Sequence, residues 1–128
     1  MIKLIALVAR KPGLSLEAFI DHYEHIHVPL IMELLPYAVG YRRNYVTPGG
    51  AYQNPFADGA APNAAFDAVT EVLYPDRATF ERMQEDSARP EIGERIAADE
   101  ENFVDRTRTI MFVADERITP IGDQEEGQ

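Results

Sequence analysis

Ile2-Lys3-Leu4-Ile5-Ala6-Leu7-Val8-Ala9 is an apolar run with one charged side chain, Lys3. It is too short for a buried helix and rich in Ile, Leu and Val, so it reads as a strand. Successive residues of a strand point to opposite faces. Here both faces are greasy, and a strand of that kind needs cover on both sides. The run meets Arg10-Lys11-Pro12 and has no basic leader, so it is expected to be a first strand and not a signal peptide.

Outward from it, Pro12-Gly13-Leu14-Ser15 is a turn, and Ser15 is placed to cap a helix beginning at Leu16. Leu16, Phe19, Ile20, Tyr23, His27, Leu30 and Leu34 recur at steps of three and four and mark one stripe of that helix. Pro29 has no amide hydrogen for the carbonyl of His25, which predicts a kink or short break just after His27. Val39–Val46 reads as the second strand, with Tyr41, Arg43 and Tyr45 on one face. Residues 47–65 are rich in Pro and Gly and suggest a lid or an interface arm. Phe66–Tyr74 is the third strand. Asp76 caps a second helix whose inner side carries Phe80, Met83 and Ser87. Pro90 punctuates it, and a further helix places Ile92, Ile96, Asp99 and Phe103 on one stripe. Arg106–Ala114 is the last strand.

The order β-α-β-β-α-β, with right-handed crossovers, gives a ferredoxin-like α+β fold: a four-stranded antiparallel sheet with helices on one face. The bare face then needs a cover, and a second copy of the same sheet supplies one. A homodimer joined through its sheet faces, as a dimeric α/β barrel, is the expectation. The domain spans 1–114, and 115–128 reads as a polar acidic tail.

The chain has 128 residues, enough for one core. Its net charge is −10, and 17 of the 22 acidic residues lie beyond position 64. Such a surface repels phosphate backbones, so no nucleic-acid partner is expected. No run is long enough for a membrane span. With no cysteine there is no disulfide, thiolate nucleophile or Cys-type zinc site, and a cytoplasmic location is the simplest inference.

His27 is the candidate catalytic residue, a titratable ring on an otherwise apolar stripe. A core histidine bonded to a freed backbone carbonyl fits the same pattern. His22 and His25 fall on other helical faces and read as solvated. Tyr23, one turn before His27, is a candidate substrate contact or ordinary packing. Tyr41 and Tyr45 share a strand face and suit a pocket or a dimer seam. Asp99 interrupts an apolar stripe, so it must be paired. It either orients His27 or ties its helix end to backbone amides or an arginine, and the second reading is favoured. Asp67 and Glu71 share one strand face roughly 13 Å apart, too far for one acid–base pair. Glu71 is expected to meet Arg108 or Arg43, or else to serve as a second acid or base. His25 and His27 point about 160° apart on a helix, so they cannot share one ion; His22 with His25 and Glu24 or Asp21 is at most an adventitious metal spacing, and no metal site is expected. There is no phosphate-binding glycine loop and no Gly-x-Ser-x-Gly elbow.

Several of these segments together resemble the EthD-domain family, a branch of the dimeric α/β-barrel proteins. They are Ile2-Lys3-Leu4-Ile5 with Arg10-Lys11-Pro12-Gly13-Leu14-Ser15, Phe19 with Tyr23 and His27-Val28-Pro29-Leu30, Asp67-Ala68-Val69-Thr70-Glu71-Val72, and Asp99-Glu100-Glu101-Asn102-Phe103-Val104-Asp105. Tyr23 stands where the family often has Trp, and residues 47–65 match no family segment. The resemblance implies a small dimeric protein that needs no cofactor. Relatives include lactone isomerases and fungal polyketide-processing dehydratases and decarboxylases. In the methylmuconolactone isomerases a histidine of the first helix is implicated in catalysis, and it falls on His27 here. The expected function is proton-transfer chemistry (isomerisation, dehydration or cyclisation) on a small apolar or aromatic carbonyl compound. Cofactor-independent oxygenation of an aromatic and non-enzymatic ligand binding are the rivals.

Overall fold

Strand β1 (Ile2–Val8) lies at the centre of a four-stranded antiparallel sheet with β2 (Gly40–Tyr45), β3 (Ala68–Tyr74) and β4 (Ile110–Ala114), in the spatial order β2-β3-β1-β4. The description comes from a computed structural model and covers residues 1–52, 56 and 64–122. Most of the lid or arm expected at 47–65 lies outside the described residues, as does the end of the tail.

Alternation along β1 sorts the side chains. Leu4, Ala6 and Val8 face the helices, with Thr70 and Val72 from β3 and Met111 and Val113 from β4. Lys3, Ile5 and Leu7 face the other way, where no helix lies among the described residues. Registers Ile5 to Glu71 and to Phe112, and Leu7 to Val69 and to Ile110, put those partners on the same open face. Ile110 and Phe112 are 55% and 44% exposed. The double-sided apolar pattern of β1 therefore corresponds to one helix-covered face and one bare face.

Helix α1 (Leu16–His22) starts where Ser15 accepts a hydrogen bond from the Ala18 amide at 3.1 Å. Gly13 adopts φ +85°, the conformation the preceding turn needs and a side chain resists. The helix then widens into a π-helical turn, Tyr23–His27, in which the Val28 amide reaches back to the Tyr23 carbonyl. It resumes as α2 (Val28–Leu34), with Pro29 in its first turn. The break expected at Pro29 takes this form. Pro29 has no amide hydrogen to continue the helical ladder, and the extra residue of the π turn absorbs the offset. Asp76 caps α3 (Arg77–Ser87) through the Thr79 amide at 2.8 Å, and α4 (Pro90–Glu100) follows.

The last strand begins later than expected. Asp105 folds the chain on itself, accepting from the Thr107 amide and hydroxyl and from Arg108, so residues 106–108 are turn and β4 starts at Ile110. The tail is tied down at its start, because Glu116 accepts a hydrogen bond from Lys3.

Two clusters fill the space between sheet and helices. Phe19, Tyr23, Phe103, Ala6, Val8 and Ala68 form one, and Leu35, Tyr74, Phe80 and Met83 form the other. Between them the packing leaves a gap.

Candidate functional site

That gap is a cavity of about 610 Å³, a size suited to a small organic molecule. Its walls are mostly apolar, with Leu4, Val72, Phe80, Met83, Ile96 and Met111 among them. Among the described residues no lysine or arginine lines it. The polar groups that reach it include His27, Tyr23, Tyr41, Thr70 and Glu100.

His27 is buried, its side chain 10% exposed. Its Nδ1 lies 2.8 Å from Asp99 Oδ2. A carboxylate only accepts, so Nδ1 carries the proton. The other nitrogen, Nε2, then holds a lone pair in the neutral ring, has no hydrogen bond among the described residues, and belongs to a cavity-lining side chain. Burial pushes the His27 pKa below the usual 6.5, and the bond and charge of Asp99 only partly oppose this. The ring is therefore neutral at pH 7 and presents a base to an apolar space.

Asp99 is itself buried, and its second oxygen accepts from His22 Nε2 at 2.8 Å. The expectation that Asp99 ties its helix end to amides or an arginine is corrected: its side-chain partners are two imidazoles. The reading of His22 as solvated is corrected as well. Residues five apart on an α-helix point about 140° apart. A π turn closes on the fifth residue instead, so His22 and His27 converge on one carboxylate. His25 does face solvent, on Asp21. Among the described residues no group of three His, Asp or Glu is placed to hold a metal ion.

Tyr23 stands edge-on to His27, ring centroids 5.4 Å apart, and its hydroxyl bonds Thr70 Oγ1 at 2.6 Å. Its hydroxyl is thus paired within the wall. Tyr41 lines the cavity with a hydroxyl that has no hydrogen-bond partner among the described residues. Burial raises the Tyr41 pKa well above the phenol range, so it stays a donor. Tyr45 packs against Phe19 and Tyr23, gives its hydroxyl to Glu24 and does not line the cavity. Glu24 also takes two bonds from Arg43, at 2.9 and 2.8 Å, which clamp the π turn to β2 and hold its carboxyl down at about 2.

Glu71 lies on the open face of the sheet, away from the cavity. Its partners are Lys3 at 2.7 Å and Asn44 at 3.0 Å, not Arg43 or Arg108. As a cavity residue of this protomer it is withdrawn, because strand alternation turns Thr70 and Val72 inward instead.

Three contributors escape sequence reading. Phe103 seats both imidazoles, with ring centroids 4.6 Å from His22 and 5.0 Å from His27. Thr70 is one unremarkable strand position. Glu100 lines the cavity beside Asp99, and burial pushes its carboxyl pKa up. The signal for Glu100 is its place next to Asp99 on the last turn of α4.

A ferredoxin-like α+β domain with a carboxylate-held imidazole at the wall of an apolar cavity is the class these observations define. The sequence matches the EthD domain over residues 11–107, and the chain belongs to that family. It is 28% identical over 109 residues to the decarboxylase nsrE of Aspergillus novofumigatus, covering 81% of this chain and 70% of that protein. Two solved structures share its fold. An EthD-family protein of Bacillus halodurans aligns with a TM-score of 0.57 at 20% identity, over 91% of this chain and 99% of that one. An EthD-like protein of Ralstonia eutropha aligns with a TM-score of 0.59 at 18% identity, over 96% of each. No helix among the described residues is long and apolar enough to cross a membrane.

Proposed function

We propose that the protein catalyses proton transfer to or from carbon in a small aromatic or otherwise apolar carbonyl compound, with His27 as the acid–base group. The observation that carries this reading is the single free nitrogen of a buried imidazole, its tautomer set by Asp99, opening on an apolar cavity. Nε2 takes a proton from a carbon beside a carbonyl, and Tyr41 donates to the enolate oxygen that forms. Returning the proton to the same or another carbon gives isomerisation. Expelling a hydroxyl gives dehydration, and protonating a carbanion left by carbon dioxide gives decarboxylation, the activity named for the fungal relative. The chain's own residues supply each proton, so no cofactor is called for. Tyr23 serves as a wall, and Glu100 is placed to act as a second acid.

Deuterium exchange tests this without the natural substrate. Incubation with α-tetralone in heavy water should label the carbon beside the carbonyl, and incubation with β-resorcylate should yield resorcinol. Both should proceed anaerobically. The exchange rate should rise with pH through a midpoint below 6.5 and then level off, because the depressed pKa keeps the base form available in mild acid. Tight retention of such aromatics with no exchange points to a carrier, and a requirement for oxygen points to oxygenation.

The bare sheet face supports a homodimer in which two sheets meet. Ile110 and Phe112 are exposed on it, beside the half-buried Ile5, Leu7, Val69 and Leu73. Phe112→Lys places a charge in that seam and should convert a dimer to a monomer in light scattering. A wild-type monomer at micromolar concentration would remove the dimer from the proposal.

A further inference from the structure

We infer that His22 is a positioning residue that sets the proton affinity of His27 through the carboxylate they share. The inference rests on His27 being the acid–base group proposed above, but its own evidence is geometric. Each oxygen of Asp99 takes one imidazole nitrogen, both at 2.8 Å. The rings differ in access: the His22 side chain is 21% exposed, against 10% for His27 and 8% for Asp99. His22 therefore forms the solvent end of a chain whose other end is the cavity. Its plane is fixed by stacking on Phe103, at 28° between rings. The π turn at Tyr23–His27 is the backbone feature that makes the sharing geometrically available.

A carboxylate that accepts from two donors holds each less strongly than it would hold one. Removing the His22 donor leaves Asp99 to His27 alone, and the His27 imidazolium is better stabilised. Adding a proton to His22 puts a second cation on the same carboxylate, and His27 then holds its own proton less well. The other charged or titratable groups around His27 are few. Glu100 lies beside Asp99 on α4 and is paired with Arg106. Glu24 is on the π turn, paired with Arg43 of β2. Tyr23, Tyr41 and Tyr45 are phenols that stay protonated across the imidazole range.

Imidazole ¹H–¹⁵N correlation spectra of the full chain, titrated between about pH 4.5 and 9, read the ring states directly. The wild type should show a biphasic curve for His27, with its Nδ1 protonated in the neutral form. His22→Phe keeps the stack on Phe103 and deletes the donor, and the His27 midpoint should rise by about one pH unit. His22→Gln keeps a donor without a titrating charge. It should retain the wild-type tautomer and give a single-phase curve. Glu100→Gln should displace the His27 curve and preserve its two phases. A His27 midpoint unmoved in His22→Phe overturns the inference. If that variant does not fold, a His27 curve still biphasic in His22→Gln overturns it equally. Deuterium exchange into α-tetralone separates this result from the function itself: a His27 midpoint raised in His22→Phe, without exchange in the wild type, leaves the His22 inference standing and removes the proposed chemistry.

Discussion

In His27→Gln, deuterium exchange into α-tetralone falls by roughly 100- to 10,000-fold, the range associated with loss of a general base. Glutamine keeps an N–H able to reach Asp99, so the buried carboxylate stays partnered, but it has no basic nitrogen to turn toward the cavity. The protein should remain folded, with thermal unfolding near that of the wild type. His27→Ala should lose exchange to the same degree and more stability, because one Asp99 oxygen loses its donor while His22 still holds the other. Full exchange in either folded variant would take His27 out of the mechanism. An unfolded glutamine variant, with Asp99 still able to pair, would make the ring a structural residue first.

Phe103→Ala should be the most destabilising single change at the site, by about 3–5 kcal/mol, the usual cost of deleting a buried phenyl ring. Phe103 is 1% exposed and lies against Phe19, Tyr23, His22 and His27 at once. The loss should appear as a drop in Tm of roughly 10 °C or more and a lower urea midpoint with little change in slope. Both imidazoles lose the surface that fixes their planes, so exchange activity should fall further than unfolding at the assay temperature explains. Phe103→Leu, which refills part of the volume, should recover most of the stability and less of the activity. A destabilisation below about 1 kcal/mol would mean that the ring can be replaced by relaxation of its neighbours.

These two results bear on different parts of the site, and the parts differ in how far the sequence exposes them. His27 is visible as a polar member of an apolar stripe, and Asp99 as another on a second helix. Period alone places both inward. That they meet is a tertiary fact. Nothing in the spacing of residues 27 and 99 says that their helices bring the two side chains together on the same side of the sheet. His22 illustrates the reverse error. A strict 3.6-residue repeat turns it outward, and the π turn turns it back, because the helix carries one residue more per turn over Tyr23–His27. Pro29 hints that the helix is disturbed there without saying how.

Glu71 and Tyr45 fail as cavity residues for a related reason. Strand alternation correctly puts Asp67, Val69 and Glu71 on one face, but it does not say which face the helices cover. Tyr41 and Tyr45 share the covered face, yet one lines the cavity and the other is sealed against Phe19 and Tyr23. The difference depends on how far along the sheet the helix pair reaches.

The amino-acid order by itself determined the elements, their antiparallel arrangement, the two-sided strand at the centre and the inward direction of His27 and Asp99. Those properties are local: they follow from periodicity, caps and turn residues acting over a few positions. Only tertiary packing decided which groups share Asp99, which of Tyr41 and Tyr45 keeps a free hydroxyl, and where the two clusters leave a cavity. Each of these depends on distances between segments far apart in the chain, and periodicity carries no information about such distances.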